Sequence, residues 1–191
     1  MERVAEIKVW DMFVRIFHWT LVLGFFTAYL VEDEMLGLHI WSGYLVFSLV
    51  VLRITWGMIG TTHARFNDFV FGPAEVIRYI KQAITFSAPR HIGHNPAGGA
   101  MIILLLINLI LISLTGMVLY GAETQTGLLS DLATSLGVIG HEGAEAFEEV
   151  HEFFANLTIL LVVVHVGGVL FESLLHSENL VRSMFTGRKQ P

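Results

Sequence analysis

The hydrophobic residues of the chain are gathered into four long stretches, and this distribution constrains the fold more than any other feature. The stretches run over residues 13–31, 36–59, 98–120 and 147–171. Each has about the 20 residues that a helix needs to cross about 30 Å of hydrocarbon. Only 15% of the 191 residues are charged, whereas soluble domains have about 25%. The sequence therefore predicts an all-α fold, an integral membrane four-helix bundle.

The charged residues predict how these helices cross the membrane. With the amino terminus in the cytoplasm, all 11 Lys and Arg lie in inner segments or near cytoplasmic helix ends. This one-sided distribution is the positive-inside pattern of bacterial membrane proteins. We therefore expect a single domain over residues 1–191, spanning the bacterial inner membrane with both termini cytoplasmic. The carboxylates assigned to the outer side are Glu32, Asp33, Glu34, Glu123, Asp131, Glu142, Glu145, Glu148, Glu149 and Glu152.

The inner segment between the second and third stretches contains one amphipathic region. Residues 73–87 place Val76, Ile77, Ile80 and Ile84 on one side of a helix, with the basic residues elsewhere. A helix of this kind lies in the plane of the membrane surface. We expect a short interfacial helix here.

Four histidines lie within the hydrophobic stretches, where ionisable side chains are costly and usually functional. His151 and His165 are 14 residues apart, so they leave the same face of a helix about 21 Å apart along its axis. In the topology above, His18 and His165 lie toward the cytoplasm, and His39 and His151 lie toward the outer surface. The four residues thus form two pairs matched by depth.

Paired imidazoles at one depth indicate axial ligands of haem iron, a coordination that leaves no open position on the metal. The chain has no cysteine, which excludes covalent c-type haem and iron–sulfur clusters within it. No Gly-rich dinucleotide fingerprint is present either. The pattern predicts two haems b, one ligated by His18 and His165 and the other by His39 and His151, which pass single electrons across the membrane.

Other residues near these pairs are candidates for binding the cofactor. Arg53 follows His39 by 14 residues on the same helix face, and Arg15 precedes His18 by one turn. Both arginines are predicted to bind haem propionates. Gly43 and Gly168 can admit a flat macrocycle close to the backbone, although ordinary helix packing is an equal alternative. The remaining histidines are expected in solvent: His63, His91, His94, His141 and His176. For His94, a cap before the third helix or a contact with a propionate is the alternative.

Several short motifs occur in a specific order along nearly the whole chain. They are Arg15-x-x-His18-Trp19, the segment from His39 to Trp56-Gly57, Gly93-His94-Asn95-Pro96, Thr115-Gly116, and His151 followed by His165. This order resembles the bacterial di-haem cytochromes b, which include the cytochrome b subunits of nickel–iron hydrogenases and the small b561-type proteins. The resemblance implies non-covalent haems b, the four histidine ligands named above and electron exchange with quinone. It also implies an electron-transfer subunit of a respiratory oxidoreductase.

The acidic outer segments predict a positively charged redox partner, such as a periplasmic c-type cytochrome or a membrane-attached oxidoreductase. A plain solvated loop is the alternative for these segments. Besides that partner we expect contacts with membrane lipid and quinone, and none with nucleic acid. A haem-free membrane anchor subunit or a proton-conducting transporter remains open as a function of another class. Transporters more often have broken helices or a mid-span acidic residue, and neither is evident here.

The topology can be tested with reporters. A reporter fused to the carboxyl terminus should be active only in the cytoplasm, and a tag inserted near Thr126 should be accessible only from outside, because Lys and Arg are retained on the inner side. A Thr126 tag that is protected in intact spheroplasts contradicts the four-span topology.

Overall fold

The structure of the chain, a computed structural model, describes residues 6–31, 34–138 and 141–190, and of His141 and Glu142 only the backbone. Arg3, Glu32 and Asp33, which entered the topology prediction, lie outside the described residues. The elements in chain order are β1 (Ile7–Lys8), α1 (Met12–Leu30), α2 (Leu36–Ile59), a 3-10 turn (Thr62–Ala64), α3 (Phe66–Phe69), α4 (Pro73–Ile84), α5 (Pro96–Thr124), α6 (Ser130–Ser135), α7 (His141–Leu175), α8 (Leu180–Thr186) and β2 (Arg188–Lys189).

The predicted all-α membrane bundle is confirmed. Among the described residues, α1, α2, α5 and α7 are long and apolar enough to cross a membrane. Their surfaces carry many exposed large hydrophobic side chains, including Leu23, Leu45, Leu104, Val163 and Leu174. Such extensive apolar exposure is unfavourable in water and is what lipid-facing helices require.

The helix ends agree with the prediction for α1 and α2 and extend beyond it for the other two. Helix α5 runs over Pro96–Thr124 instead of 98–120, and α7 begins at His141 instead of 147. The first turns of α7 are rich in Ala and Glu, which are good helix formers but add no hydrophobicity. The segment 121–146, predicted to be on the outer side, therefore contains α6 and the start of α7 rather than a plain loop.

The chain divides into two compact units. Unit 1 takes its described residues from 6–20, 51–104 and 161–190, and unit 2 takes them from the ranges 21–50 and 105–160. Each of the four long helices contributes to both units. The sequence ranges of unit 1 hold all 11 Lys and Arg, whereas those of unit 2 hold ten carboxylates and no basic residue.

In unit 1 the segment before α1 contacts the segment that contains α8 and β2. Strand β1 pairs antiparallel with β2, with Ile7 opposite Lys189. The Trp10 indole donates a hydrogen bond to Ser183 Oγ of α8 at 3.2 Å. The guanidinium of Arg15 donates to the Phe185 carbonyl at the end of the same helix. The segment before α1 and the segment that contains α8 and β2 are thus paired with each other.

Asp11 joins the start of α1 to the end of α2 in unit 1. Its carboxylate accepts the backbone N–H of Val14 at 2.8 Å, the position at which an N-cap residue satisfies a free helix donor. It also accepts from the Trp56 indole at 3.0 Å and from Thr61 Oγ1 at 2.6 Å. Burial raises the pKa of Asp11, but these hydrogen bonds outweigh burial and leave it below its usual value.

Helix α4 is the predicted amphipathic helix, and it ends at Ile84 rather than at residue 87. Tyr79 is buried, and its hydroxyl donates to the Glu172 carboxylate of α7 at 3.0 Å. Burial and the adjacent Glu172 raise the pKa of Tyr79. On the other side, Ile77, Ile80 and Ile84 are exposed. An exposed row of isoleucines suits the membrane surface.

In unit 2 the helices are joined by close packing and by buried amides. Gly24 of α1 leaves room for Val46 of α2, whose side chain would lie 3.4 Å from an added Cβ. Asn108 of α5 is buried and donates to Thr158 Oγ1 of α7 at 2.5 Å and to the Phe154 carbonyl at 2.9 Å. Polar contacts of this kind join helices in apolar surroundings.

Candidate functional site

His39 and His151 face each other in unit 2, as their predicted depth requires. His39 lies near the start of α2 and His151 lies on α7, and their ring centroids are 6.0 Å apart. Both side chains are half-buried. The gap is too wide for a direct contact between the rings and leaves space for an atom between them.

Each of these two rings has a hydrogen-bond partner at its Nδ1 atom. His39 Nδ1 lies 3.0 Å from the Ala28 carbonyl, which can only accept, so Nδ1 is the protonated nitrogen. His151 Nδ1 lies 3.1 Å from Thr115 Oγ1. Because that hydroxyl has the Leu111 and Ile112 carbonyls as acceptors at 2.9 and 3.0 Å, it can accept from His151. Nε2 of each ring therefore keeps a free lone pair. In metal sites, a hydrogen-bond partner on the other ring nitrogen fixes the tautomer of a ligating histidine in the same way.

The two rings line a cavity within unit 2. Its volume is about 670 Å³, counting the space toward its open side. Gly43 lines it, and a Cβ added at Gly43 would meet no atom within 4 Å. At Gly116, by contrast, an added Cβ would lie 2.8 Å from His151 Cε1. Gly43 thus keeps space open inside the cavity, and Gly116 allows His151 to approach α5.

His18 and His165 form the equivalent pair in unit 1. His18 lies on α1 and His165 on α7, and their ring centroids are 6.5 Å apart. His18 Nδ1 is buried without a hydrogen-bond partner. The Trp19 ring stands edge-on to His18 with centroids 4.9 Å apart. Within the described part of the chain, no group of three or more His, Cys, Asp or Glu could hold a metal ion.

The spacing of both pairs matches bis-histidine coordination of one metal. Imidazole nitrogens bind first-row metals at about 2 Å, and a ring centre lies about 1 Å behind its nitrogen, so two rings on opposite sides of one iron have centres about 6 Å apart. The observed 6.0 and 6.5 Å agree with this value. With the cavity and the free Nε2 atoms, the residues present fit a haem held between two histidines.

The remaining predicted cofactor residues differ in their surroundings. Arg53 is 3% exposed, and its Nη1 has no hydrogen-bond partner. Arg15 uses one nitrogen for the Phe185 carbonyl, while its Nε is buried without a partner. Gly168 is exposed one turn after His165, with no atom within 4 Å of an added Cβ. Their roles toward a cofactor stay predictions.

The expectation that His94 lies in solvent is wrong. Its ring packs against Trp10 and Phe69, with centroids 4.5 and 4.9 Å apart, and its Nδ1 is buried without a partner. The tripeptide Gly-His-Asn before Pro96 shows no periodicity that could reveal burial, because both contacts come from distant segments. A turn-like sequence gave no signal for this residue.

Burial lowers the pKa of His94 to about 3, and the charges of Arg53, Lys189, His165 and His63 act in the same direction. The ring is therefore neutral at physiological pH, with one N–H to donate.

Two other histidines expected in solvent have partners in unit 1. His63 Nδ1 lies 2.9 Å from Asp68, and His176 Nε2 lies 3.3 Å from Glu172. His91 contacts the Tyr79 ring at a centroid distance of 5.4 Å. The side chain of His141 lies outside the described residues.

The sequence model of one family, prokaryotic cytochrome b561, matches residues 9–187. The chain belongs to this family. It is therefore a multi-pass membrane protein of a b-type cytochrome family. This cytochrome has His18, His39, His151 and His165 within the matched region, together with the candidate arginines and glycines.

Two curated relatives have the same description, a probable Ni/Fe-hydrogenase B-type cytochrome subunit. The relative from Cupriavidus necator is 28% identical over 78% of this chain, and the match spans 64% of the relative's length. The relative from Rhizobium leguminosarum bv. viciae is 22% identical over 96% of this chain and 89% of its own. The cytochrome thus spans just under two thirds of the first relative. No solved structure matches it.

The hydrogen bond between Thr115 and His151 yields a prediction. Thr115→Val should weaken haem binding at the unit 2 pair by about 10- to 100-fold, because removal of a second-shell partner frees the ligand ring. Thr115→Ser should restore it. Haem titration followed by the visible spectrum measures the affinity.

Thr124→Val is the matched control. The Thr124 hydroxyl donates to the carbonyl four residues earlier, that of Tyr120, at 2.7 Å, as the Thr115 hydroxyl does to Leu111, but its hydrogen bonds do not include His151. Unchanged affinity in Thr115→Val shows that Thr115 does not orient His151.

Proposed function

We propose that this protein is a di-haem cytochrome that passes single electrons across the bacterial inner membrane between the quinone pool and an outer-face redox partner. One haem b is held by His18 and His165, and the other by His39 and His151. The observation that carries the proposal is the spacing of the two ring pairs, 6.5 and 6.0 Å, each suited to one iron. Family membership supports the b type of the haem.

The protein's part in this function is to hold and isolate each centre. Bound haem supplies one-electron exchange between ferric and ferrous iron. The two imidazoles of each pair would hold the iron, and iron held in this way has no position left for oxygen or a substrate. Ala28 and Thr115 fix the rings of His39 and His151, and Gly43 keeps room for a flat ring system. Apolar side chains such as Phe25 and Met117 also line that cavity.

The charge distribution supports the proposed topology. The segment between α2 and α5 carries four of the Lys and Arg residues, and the segments beside both termini carry most of the others. Placing these segments in the cytoplasm satisfies the positive-inside rule. The segment between α5 and α7 then lies on the outer side.

The partner proposal rests on the relatives and on an acidic stripe. The two relatives are described as hydrogenase subunits, which favours a membrane-attached oxidoreductase as partner. In unit 2, Glu145, Glu148, Glu149 and Glu152 are all exposed on α7. Their spacing places them on one face of the helix. We infer that this stripe binds the basic surface of a redox protein.

The ligand assignment is tested by alanine substitution. Replacing His18 or His165 should abolish one haem signal, and replacing His39 or His151 should abolish the other, because one imidazole holds haem far less tightly than two. Low-temperature spectra and redox titration of the purified variants separate the two signals.

His91→Ala, which changes a histidine outside both pairs, should retain both haems. If His39→Ala and His165→Ala lose the same haem, the pairing is wrong.

The acidic stripe is tested by the dependence of electron transfer on salt. With a basic soluble c-type cytochrome as probe, the second-order rate should fall roughly tenfold or more between low and high salt, because screening removes electrostatic steering. Replacing the four stripe glutamates with glutamine should flatten this dependence.

Glu75→Gln, on the exposed surface of α4 in unit 1, is the control and should leave the salt dependence unchanged. Equal salt dependence in the wild type and the four-glutamine variant contradicts the docking role.

A further inference from the structure

Several buried side-chain nitrogens of unit 1 have no hydrogen-bond partner. These atoms are Arg15 Nε, His18 Nδ1, Trp19 Nε1, Arg53 Nη1 and His94 Nδ1. His176 Nε2 is set apart from them because it lies 3.3 Å from the Glu172 carboxylate. Within the described residues, every such atom is a nitrogen and every one belongs to unit 1. Buried polar atoms without partners are rare in folded proteins and indicate a missing partner. For arginine and tryptophan nitrogens, that partner must be an acceptor.

Arg53 is the most demanding member of this group. Its side chain is almost fully buried, and its guanidinium carbon lies over the rings of Phe66 and Phe69, at 5.5 and 5.7 Å from their centroids. Aromatic faces stabilise a cation only weakly, far less than the burial of a charge costs. The geometry therefore leaves Arg53 in need of an anion.

The carboxylate of Asp11 acts electrostatically on Arg53 but does not fill this role. Its oxygens are already bonded to the Val14 backbone, the Trp56 indole and Thr61. No hydrogen bond joins it to Arg53 Nη1.

His94 shares the surroundings of Arg53. The Phe69 ring that Arg53 contacts also packs against His94, at 4.9 Å between centroids. The charges of Arg53 and His165 both act on His94, so the three lie near each other. A neutral imidazole next to a guanidinium offers one N–H, and the guanidinium offers several. Together they can bind both oxygens of one carboxylate.

We propose that Arg53 and His94 form a carboxylate-binding pair in unit 1, and that the carboxylate is a propionate of the haem held by His18 and His165. The inference rests on the proposed function and joins His94 to Arg53 as partners of one carboxylate. Arg53 neutralises the carboxylate, and His94 fixes its orientation. The same positive charge disfavours the ferric state and raises the midpoint potential of that haem. No basic side chain lines the cavity between His39 and His151.

The experiment is a redox titration of the full-length protein in detergent. Arg53→Met keeps the length of the side chain but removes its charge, and it should lower the midpoint potential of the haem that His18→Ala abolishes. His94→Leu should shift the same haem in the same direction by less. Arg53→Lys should retain most of the potential. The other haem should not move in any variant.

Arg78→Met is the matched control, because Arg78 is an exposed arginine that pairs with Glu75 on α4. It should leave both potentials unchanged. If Arg53→Met and His94→Leu both retain two haems with unshifted potentials, the carboxylate-binding pair is refuted, while the ligand assignment stands. If either variant shifts only the haem held by His39 and His151, the inference is equally wrong. Should Arg53→Met fail to fold, His94→Leu carries the same test.

Reconstitution with haem dimethyl ester, which lacks free propionates, identifies the source of the carboxylate. Wild-type protein should bind the ester about 10- to 100-fold more weakly than haem at the unit 1 site, the value of one charge-assisted hydrogen bond. In Arg53→Met that difference should shrink, because the two changes remove one interaction. Equal binding of ester and haem by the wild type shows that Arg53 binds another anion and overturns the assignment to propionate.

Discussion

Histidine side chains inside an apolar bundle need partners for both ring nitrogens, and the rest of the structure can be understood from this requirement. An imidazole that leaves its ring nitrogens unpaired among lipid-facing helices loses the hydrogen bonds that it has in water. In unit 2 the Ala28 carbonyl and Thr115 each take one nitrogen, and the second nitrogen of each ring is left for a metal. The fold thus brings together two ring nitrogens with free lone pairs, and a group placed between the rings could bind both.

The two pairs are built differently, and this difference has consequences for electron transfer. In unit 2, hydrogen bonds fix the outer nitrogens, and the cavity around the rings has no charged side chain. In unit 1, His18 Nδ1 has no partner, and the charge of the buried Arg53 guanidinium acts on His94. Burial, second-shell hydrogen bonds and nearby charge are what set the potential of a haem. Under the proposed function, haems held by the two pairs would therefore differ in potential.

Much of this arrangement could be predicted from the sequence because it follows from simple geometry. Hydrophobic length identified the four long helices, and the fixed rise of a helix together with the bias of Lys and Arg paired His18 with His165 and His39 with His151. The pairs that the structure brings together are the predicted ones. The helical start of α7 was missed because its Ala- and Glu-rich turns lack hydrophobicity.

The surroundings of His94 could not be predicted. Its ring contacts Trp10 and Phe69, which are far from it in the sequence. No local period marks such a residue. For the same reason the pairing of Ile7–Lys8 with Arg188–Lys189 had no signal, since two-residue strands are too short to leave a pattern. Contacts between segments that are far apart in the chain leave no local pattern from which they could be predicted.

The central claim is that each histidine pair holds one haem b, and haem stoichiometry tests it most directly. A pyridine haemochrome assay on the purified protein, combined with quantitative amino-acid analysis, measures haem b per chain. The account predicts two haems b per chain, both released by acidified acetone because none is bound covalently. A value of one, or a protein without a haem spectrum, would contradict the account and favour a membrane anchor without a complete electron path.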